Sequence, residues 1–213
     1  MARIVFDLDG TLIDSVADIA AAANATLAEV GEAPLSVDQA RSFVGAGAVV
    51  FVERMARARD LPDPAPLVPR FLHHYEGAVT QTLIYPGVEA ALARLEQRGH
   101  SLGLCTNKPH LPTQAVLAHL GWADLFDTVL TGDSLPQRKP DPAPLLAAFD
   151  ALGTGPSIYV GDSDVDAETA ARAHVPFVLF TPGYRTTPVE DLPHTAAFDD
   201  WSEIPNVIVS LGV

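Results

Sequence analysis

Four short and almost wholly apolar runs, at 4–6, 102–105, 158–160 and 177–180, set the tightest limit on how this chain can fold. Each is too short for a buried helix and is bounded by polar or turn residues, so each reads as a strand covered on both faces. Strands of that kind lie in a parallel sheet, and parallel neighbours need a crossover between them. The intervening sequence supplies it: helical patterns occupy 88–98, 113–120, 143–152 and 165–173, and the first three are closed by Gly99, Gly121 and Gly153. The expected fold is therefore α/β, a doubly wound (Rossmann-like) parallel sheet.

Between the first strand and Pro86 the texture changes. Helical patterns run over 15–30, over 36–59 with a break at Gly45-Ala46-Gly47, and over 68–83, with Pro62-Asp63-Pro64-Ala65-Pro66 as a stiff connector and no convincing strand. This stretch reads as an all-helical cap domain, residues 14–82, inserted after the first strand. Its removal leaves 1–13 and 83–213 as an α/β core of about 144 residues, an ordinary size for one domain.

At 213 residues and 48% apolar content the chain can bury a full core and a small second one. A net charge of −14, with no cluster of Lys and Arg, argues against nucleic acid or an anionic membrane as partner. No apolar stretch approaches the roughly 20 residues needed to cross a bilayer. Residues 1–6 enter an apolar run directly, without the regions of a signal peptide. The single Cys105, inside the run 102–106, has no intramolecular partner and reads as a buried thiol, so the expected compartment is the reducing cytoplasm. The expected assembly is a monomer or homodimer.

The chemistry gathers at the strand ends. The first strand runs into Phe6-Asp7-Leu8-Asp9-Gly10-Thr11, where the two-residue spacing sends both carboxylates to one side of an extended chain, although Asp-Gly after a strand is also a common hairpin turn. The second ends in Cys105-Thr106-Asn107-Lys108, beyond the carboxyl edge where open α/β sheets bind ligands. The third ends in Gly161-Asp162-Ser163-Asp164-Val165-Asp166, where Asp162 and Asp166 share a face once a helix begins. Between these lies Arg138-Lys139-Pro140. Only two lysines occur in the chain, Lys108 and Lys139, and both fall in these loops. A solvated role remains open for Lys108, and ordinary turn glycines would look like Gly10 and Gly161. In the helical insertion, His73, His74 and Tyr75 are adjacent on a helix, point different ways and do not form a site.

The ordered set D-x-D-G-T, S/T-N, K-P and G-D-S-x-x-D resembles the phosphatase branch of the haloacid dehalogenase superfamily along the whole chain. Asp7 to Ser15, Cys105-Thr106-Asn107-Lys108-Pro109 and Gly161-Asp162-Ser163 are most similar to its phosphoglycolate phosphatase group. The resemblance implies a phosphoric monoester hydrolase that acts on a small phosphomonoester, 2-phosphoglycolate for preference, through an aspartyl-phosphate. A sugar phosphomutase or sugar phosphatase of the same superfamily is the alternative. Asp7, ionised at neutral pH, is the expected nucleophile, and Asp9 the expected acid and base. Four carboxylates facing a phosphate dianion require a divalent cation, and hard oxygen donors point to Mg²⁺. The resemblance implies Asp7, the backbone carbonyl of Asp9 and Asp162 as its ligands, with Asp166 behind them. Lys139 is expected to offset charge on the nucleophile, and Thr106, Asn107 and Gly10 to meet the phosphoryl group. For the leaving group the candidates are Arg41, next to the glycine break, with Lys108 and Arg185 as alternatives. A phosphonatase would need a lysine in the cap, which has none, and a phospho-aspartate receiver carries its aspartate after a middle strand.

Overall fold

The computed structural model describes residues 1–212. Eight strands are present: β1 (Arg3–Phe6), β2 (Ile13–Asp14), β3 (Leu83–Ile84), β4 (Ser101–Cys105), β5 (Thr128–Leu130), β6 (Ser157–Gly161), β7 (Phe177–Phe180) and β8 (Ala196–Phe198). The helices are α1 (Val16–Ala28), α2 (Val37–Arg41), α3 (Ala48–Arg57), α4 (Leu67–Tyr75), α5 (Val88–Gln97), α6 (His110–His119), α7 (Ala143–Ala151), α8 (Asp164–Ala173) and α9 (Ile204–Ser210). Six strands form one sheet in the order β5-β4-β1-β6-β7-β8, and every pairing in it is parallel.

Strand periodicity explains the two layers of helix. Ile4 and Phe6 of β1 join Leu104, Val160 and Phe180 in a core covered by α5, α6 and α9, whereas Val5 joins Cys105, Tyr159 and Leu179 in a second core covered by α7 and α8. The sheet is doubly wound. β1 sits at its centre, with Phe6 level with Leu104 on one side and Val160 on the other. The chain builds outward from β1 first towards β5 and then towards β8, so the strand order reverses beside the carboxyl end of β1, where a crevice opens.

The four strands read from apolar runs are present, as are the helices between them. β5 and β8, three residues each at the sheet edges, escaped the reading because so short a run carries no period. α6 starts at His110 rather than Thr113, since Pro112 is tolerated in a first helical turn.

Within 14–82 the helices are shorter than the sequence suggested. α2 ends at Arg41, its start fixed by a reciprocal cap between Ser36 and Gln39, and α3 begins only after Gly47 at φ 89°. The last helix stops at Tyr75 instead of continuing to Leu83; Asp18 of α1 accepts hydrogen bonds from the Gln81 N–H and the Thr82 hydroxyl, which holds the chain out of helix there. The stretch was expected to lack strands, yet Ile13–Asp14 pairs antiparallel with Leu83–Ile84, a separate two-residue ladder that brings together the two ends of the helical segment. α1, α3 and α4 bury Ile19, Ala23, Phe51, Met55 and Phe71 in a core of their own. No helix among the described residues is long and apolar enough to cross a membrane.

Candidate active site

β1 delivers Asp7 to the crevice, its N–H bonded to the Val160 carbonyl at 2.9 Å. Leu8 points the other way into the core, so Asp7 and Asp9 do share a side. The turn that follows depends on Gly10, whose φ of 90° disfavours any side chain and where a Cβ would come within 2.4 Å of Asp162 Oδ2.

Three carboxylates converge. Oxygens of Asp7, Asp162 and Asp166 lie within 4.8 Å of one another, all buried. Lys139 enters between two of them, its Nζ 2.7 Å from Asp166 Oδ1 and 2.8 Å from Asp7 Oδ1. Tyr159, reaching up from β6, donates its hydroxyl to Asp166 Oδ1 at 2.6 Å and accepts from Lys139 at 2.8 Å. Asp166 Oδ2 also accepts from the N–H groups of Asp162 and Ser163 and from the Ser163 hydroxyl. Burial works to raise Asp166, but the Lys139 charge and these donors outweigh it and hold the carboxyl below its ordinary value. Burial likewise works against the Lys139 ammonium, and Asp166 and Asp7 together more than reverse it.

The other two carboxylates are under-compensated. Asp7 Oδ1 faces Lys139 out of line for a hydrogen bond and has no other donor, and burial, opposed by Lys139, lifts its pKa to about 7. Asp162 accepts from the Thr11 hydroxyl at 2.7 Å and the Tyr184 N–H at 2.5 Å, yet burial, with Asp166 and Asp7 nearby, pushes it well above the carboxylate range. Two buried carboxylates in that condition fit a divalent cation held by hard oxygen donors. The Asp9 side chain stands outside this cluster, accepting from Ser15 Oγ at 2.5 Å and from Lys108 Nζ at 3.0 Å; of Asp9 only the backbone carbonyl was expected at the metal.

The helical segment 14–82 lies over the crevice. Asn107 Nδ2 donates to the Gly45 carbonyl of the cap loop at 3.0 Å and to the Lys139 carbonyl at 2.9 Å, which leaves the Asn107 side chain occupied. Thr106 is buried beside it, its hydroxyl oxygen accepting from the Lys108 N–H at 3.2 Å. A half-open cavity of about 40 Å³ lies here, lined among others by Asp7, Asp9 and Lys108 from the sheet side and by Val44, Phe51 and Tyr75 from the segment above. Lys108 is buried rather than solvated, and it meets Tyr75 with both hydroxyl and ring.

Two residues fall elsewhere than expected. Arg41 was placed at the substrate; it lies over the Tyr184 ring at 5.1 Å and 3.7 Å from Asp14, away from the cavity wall, because proximity in sequence to the glycine break did not fix where α2 ends. Arg185 turns back to the Thr181 carbonyl at 2.7 Å. Conversely, sequence reading missed Tyr159, Ser15, Tyr184 and Tyr75. Tyr184 ties the loop after β7 to the start of the cap, its hydroxyl donating to Asp14 and accepting from the N–H groups of Ser15 and Val16. A tyrosine inside the apolar run of β6 was the one available signal for Tyr159.

A doubly wound sheet with a paired aspartate at the end of its central strand, a buried lysine and a third acidic loop defines a class of phosphoryl-handling hydrolase. Residues 4–180 match the family model described as haloacid dehalogenase-like hydrolase. Over 213 aligned residues the chain is 48% identical to a phosphoglycolate phosphatase from Cereibacter sphaeroides, covering 98% of each, and it is 43% identical to one from Rhodobacter capsulatus, covering 96% of this chain and 95% of that one. A crystal structure from Haemophilus somnus, described as a predicted phosphoglycolate phosphatase, superposes with a TM-score of 0.89 at 31% identity over 97% of both chains. The chain belongs to the haloacid dehalogenase-like hydrolases. Within that family it is a phosphatase, an enzyme that cleaves phosphoric monoesters.

Proposed function

We propose that the enzyme is a Mg²⁺-dependent phosphatase that hydrolyses 2-phosphoglycolate through phosphorylated Asp7, with 1–13 and 83–213 as the catalytic domain and 14–82 as its cap. The observation that carries the reading is the charge of the cavity beside Asp7 and Asp9, where Lys108 is the one cation among the lining residues. A leaving group that carries one negative charge suits it.

In this reading Asp7 attacks phosphorus, the bond to the leaving oxygen breaks, and Asp9 supplies the proton that releases the alcohol. Asp9 then takes a proton from water as the water attacks phosphorus, freeing inorganic phosphate and regenerating Asp7. Lys139, Thr106 and the Asn107 N–H offset charge on the phosphoryl oxygens. Asp7, Asp162 and the Asp9 carbonyl would hold the metal, with Asp166 fixing Lys139 and the loop behind; when bound, the ion would neutralise charge on the phosphate. The absence of metal should silence turnover.

The test is kcat/KM for 2-phosphoglycolate against glucose 6-phosphate and nucleoside monophosphates, with Mg²⁺ and with excess chelator. A preference for 2-phosphoglycolate of about 10-fold or more, lost in chelator, is expected on the scale of one charge-assisted contact. Preference for a sugar phosphate would replace this reading with the sugar phosphatase or phosphomutase one.

A further inference from the structure

Tyr75 ends α4 and hangs from the cap over the cavity, 4% exposed, held by Phe71 with ring centroids 5.2 Å apart, while Phe71 itself stacks on Phe51 at 5.1 Å. Its hydroxyl oxygen accepts from Lys108 Nζ, whose ammonium also lies 4.5 Å from the centre of the ring. A phenol both accepts and donates, and the Tyr75 proton finds no acceptor among the described residues. A buried hydroxyl with an unspent proton on a cavity wall calls for a partner, because stranded polar groups in a low-dielectric interior are costly. Lys108 is in a related condition: of its three donors, Asp9 and Tyr75 account for two, and it too lines the cavity.

We propose that Tyr75 is a specificity-determining residue, its hydroxyl pairing with the Lys108 ammonium to form a two-donor subsite for the carboxylate of the leaving group. The inference rests on the phosphoglycolate reading and deepens it. One donor comes from the loop after β4 and the other from the cap, so the subsite exists only with the cap closed, and a substrate without a carboxylate leaves both donors unmatched. A buried site built for hydrogen bonding discriminates strongly against an analogue that lacks the group.

The experiment compares wild type with Tyr75→Phe, which keeps the ring and its stacking, on 2-phosphoglycolate and on ethyl phosphate, a leaving group of similar length without the charge. The ratio of the two kcat/KM values should drop on the order of 10-fold in the variant, mainly through KM for 2-phosphoglycolate. Equal losses on both substrates, or no loss on either, would overturn the role of Tyr75 while leaving the substrate reading in place. A wild type that does not prefer 2-phosphoglycolate removes the reading and this inference with it. A second readout does not depend on turnover. Protein labelled with [¹⁵N]lysine carries only two side-chain ammonium groups, and glycolate should shift that of Lys108 at a concentration on the order of 10-fold lower in wild type than in Tyr75→Phe. The same glycolate response in both proteins would contradict the proposal.

Discussion

Lys139 and Lys108 are both buried, and each faces one aspartate of the pair after β1, yet their surroundings differ in kind. Lys139 sits wholly within the sheet domain, between Asp7 and Asp166, with Tyr159 against its side; all of its partners hang from β1, β6 and the start of α8. Lys108 spans two regions, since Asp9 belongs to the sheet and Tyr75 to the helices above. One ammonium is fixed within the sheet domain, and the other joins that domain to the helical segment over it. In the proposed reaction the first would serve the step at phosphorus and the second the choice of what is attached to it.

The largest effect should follow from Lys139→Met. It leaves the buried carboxylates of Asp7 and Asp166 facing each other without their shared cation, a change that costs about 3–5 kcal/mol. Denaturant midpoints should fall accordingly, and turnover should vanish. Lys108→Met should act differently: Asp9 keeps the Ser15 hydroxyl at 2.5 Å, so stability falls by only roughly 1–2 kcal/mol. Its main effect should be a drop of about 10- to 100-fold in kcat/KM for 2-phosphoglycolate, the scale of one lost charge-assisted bond. If the two variants lose stability equally, the contrast between the regions fails.

A pH series sharpens the same contrast. Burial lifts Asp7 to about 7, above its unfolded value, so in the folded chain the ionised form is the disfavoured one. In excess chelator, wild-type stability should therefore rise as pH falls from about 8 towards 5, since the folded state takes up a proton before the unfolded state does. Asp7→Asn should reduce that slope, measured as thermal midpoint against pH, with Asp162 supplying the remainder; an unchanged slope would remove Asp7 as a source. Arg41→Ala should have the smallest effect. Its 3.7 Å pair with Asp14 is a third exposed, and such pairs are worth about 0–1 kcal/mol. A change in kcat/KM beyond about 3-fold would return Arg41 to the substrate.

The central sheet and the acidic loops were legible because each rests on a local rule. An apolar run between helices reads as a buried strand, and Asp7, Asp162, Asp166 and Lys139 sit at strand ends or in the loop leading to a helix, where the fold brings them together. The edge strands β5 and β8 were not legible, being too short for any period. Tyr159, Tyr184 and Tyr75 were hidden for another reason: a tyrosine in a core is ordinary, and only the three-dimensional fold tells which carboxylate or ammonium its hydroxyl meets. Tyr75 was set aside with His73 and His74, although the structure turns them apart, with His74 pairing with Glu29 on the cap surface at 2.7 Å.

Every proposed role at the crevice depends on Asp7 itself carrying the phosphoryl group. Rapid acid quench of wild type during turnover of ³²P-labelled 2-phosphoglycolate, followed by trypsin, tests it directly. The label should appear on the peptide 4–41, which contains Asp7, should be released by hydroxylamine as an acyl phosphate is, and should be absent from Asp7→Asn. Turnover without a hydroxylamine-sensitive label, or with the label on any other peptide, would rule out Asp7 as the phosphoryl carrier.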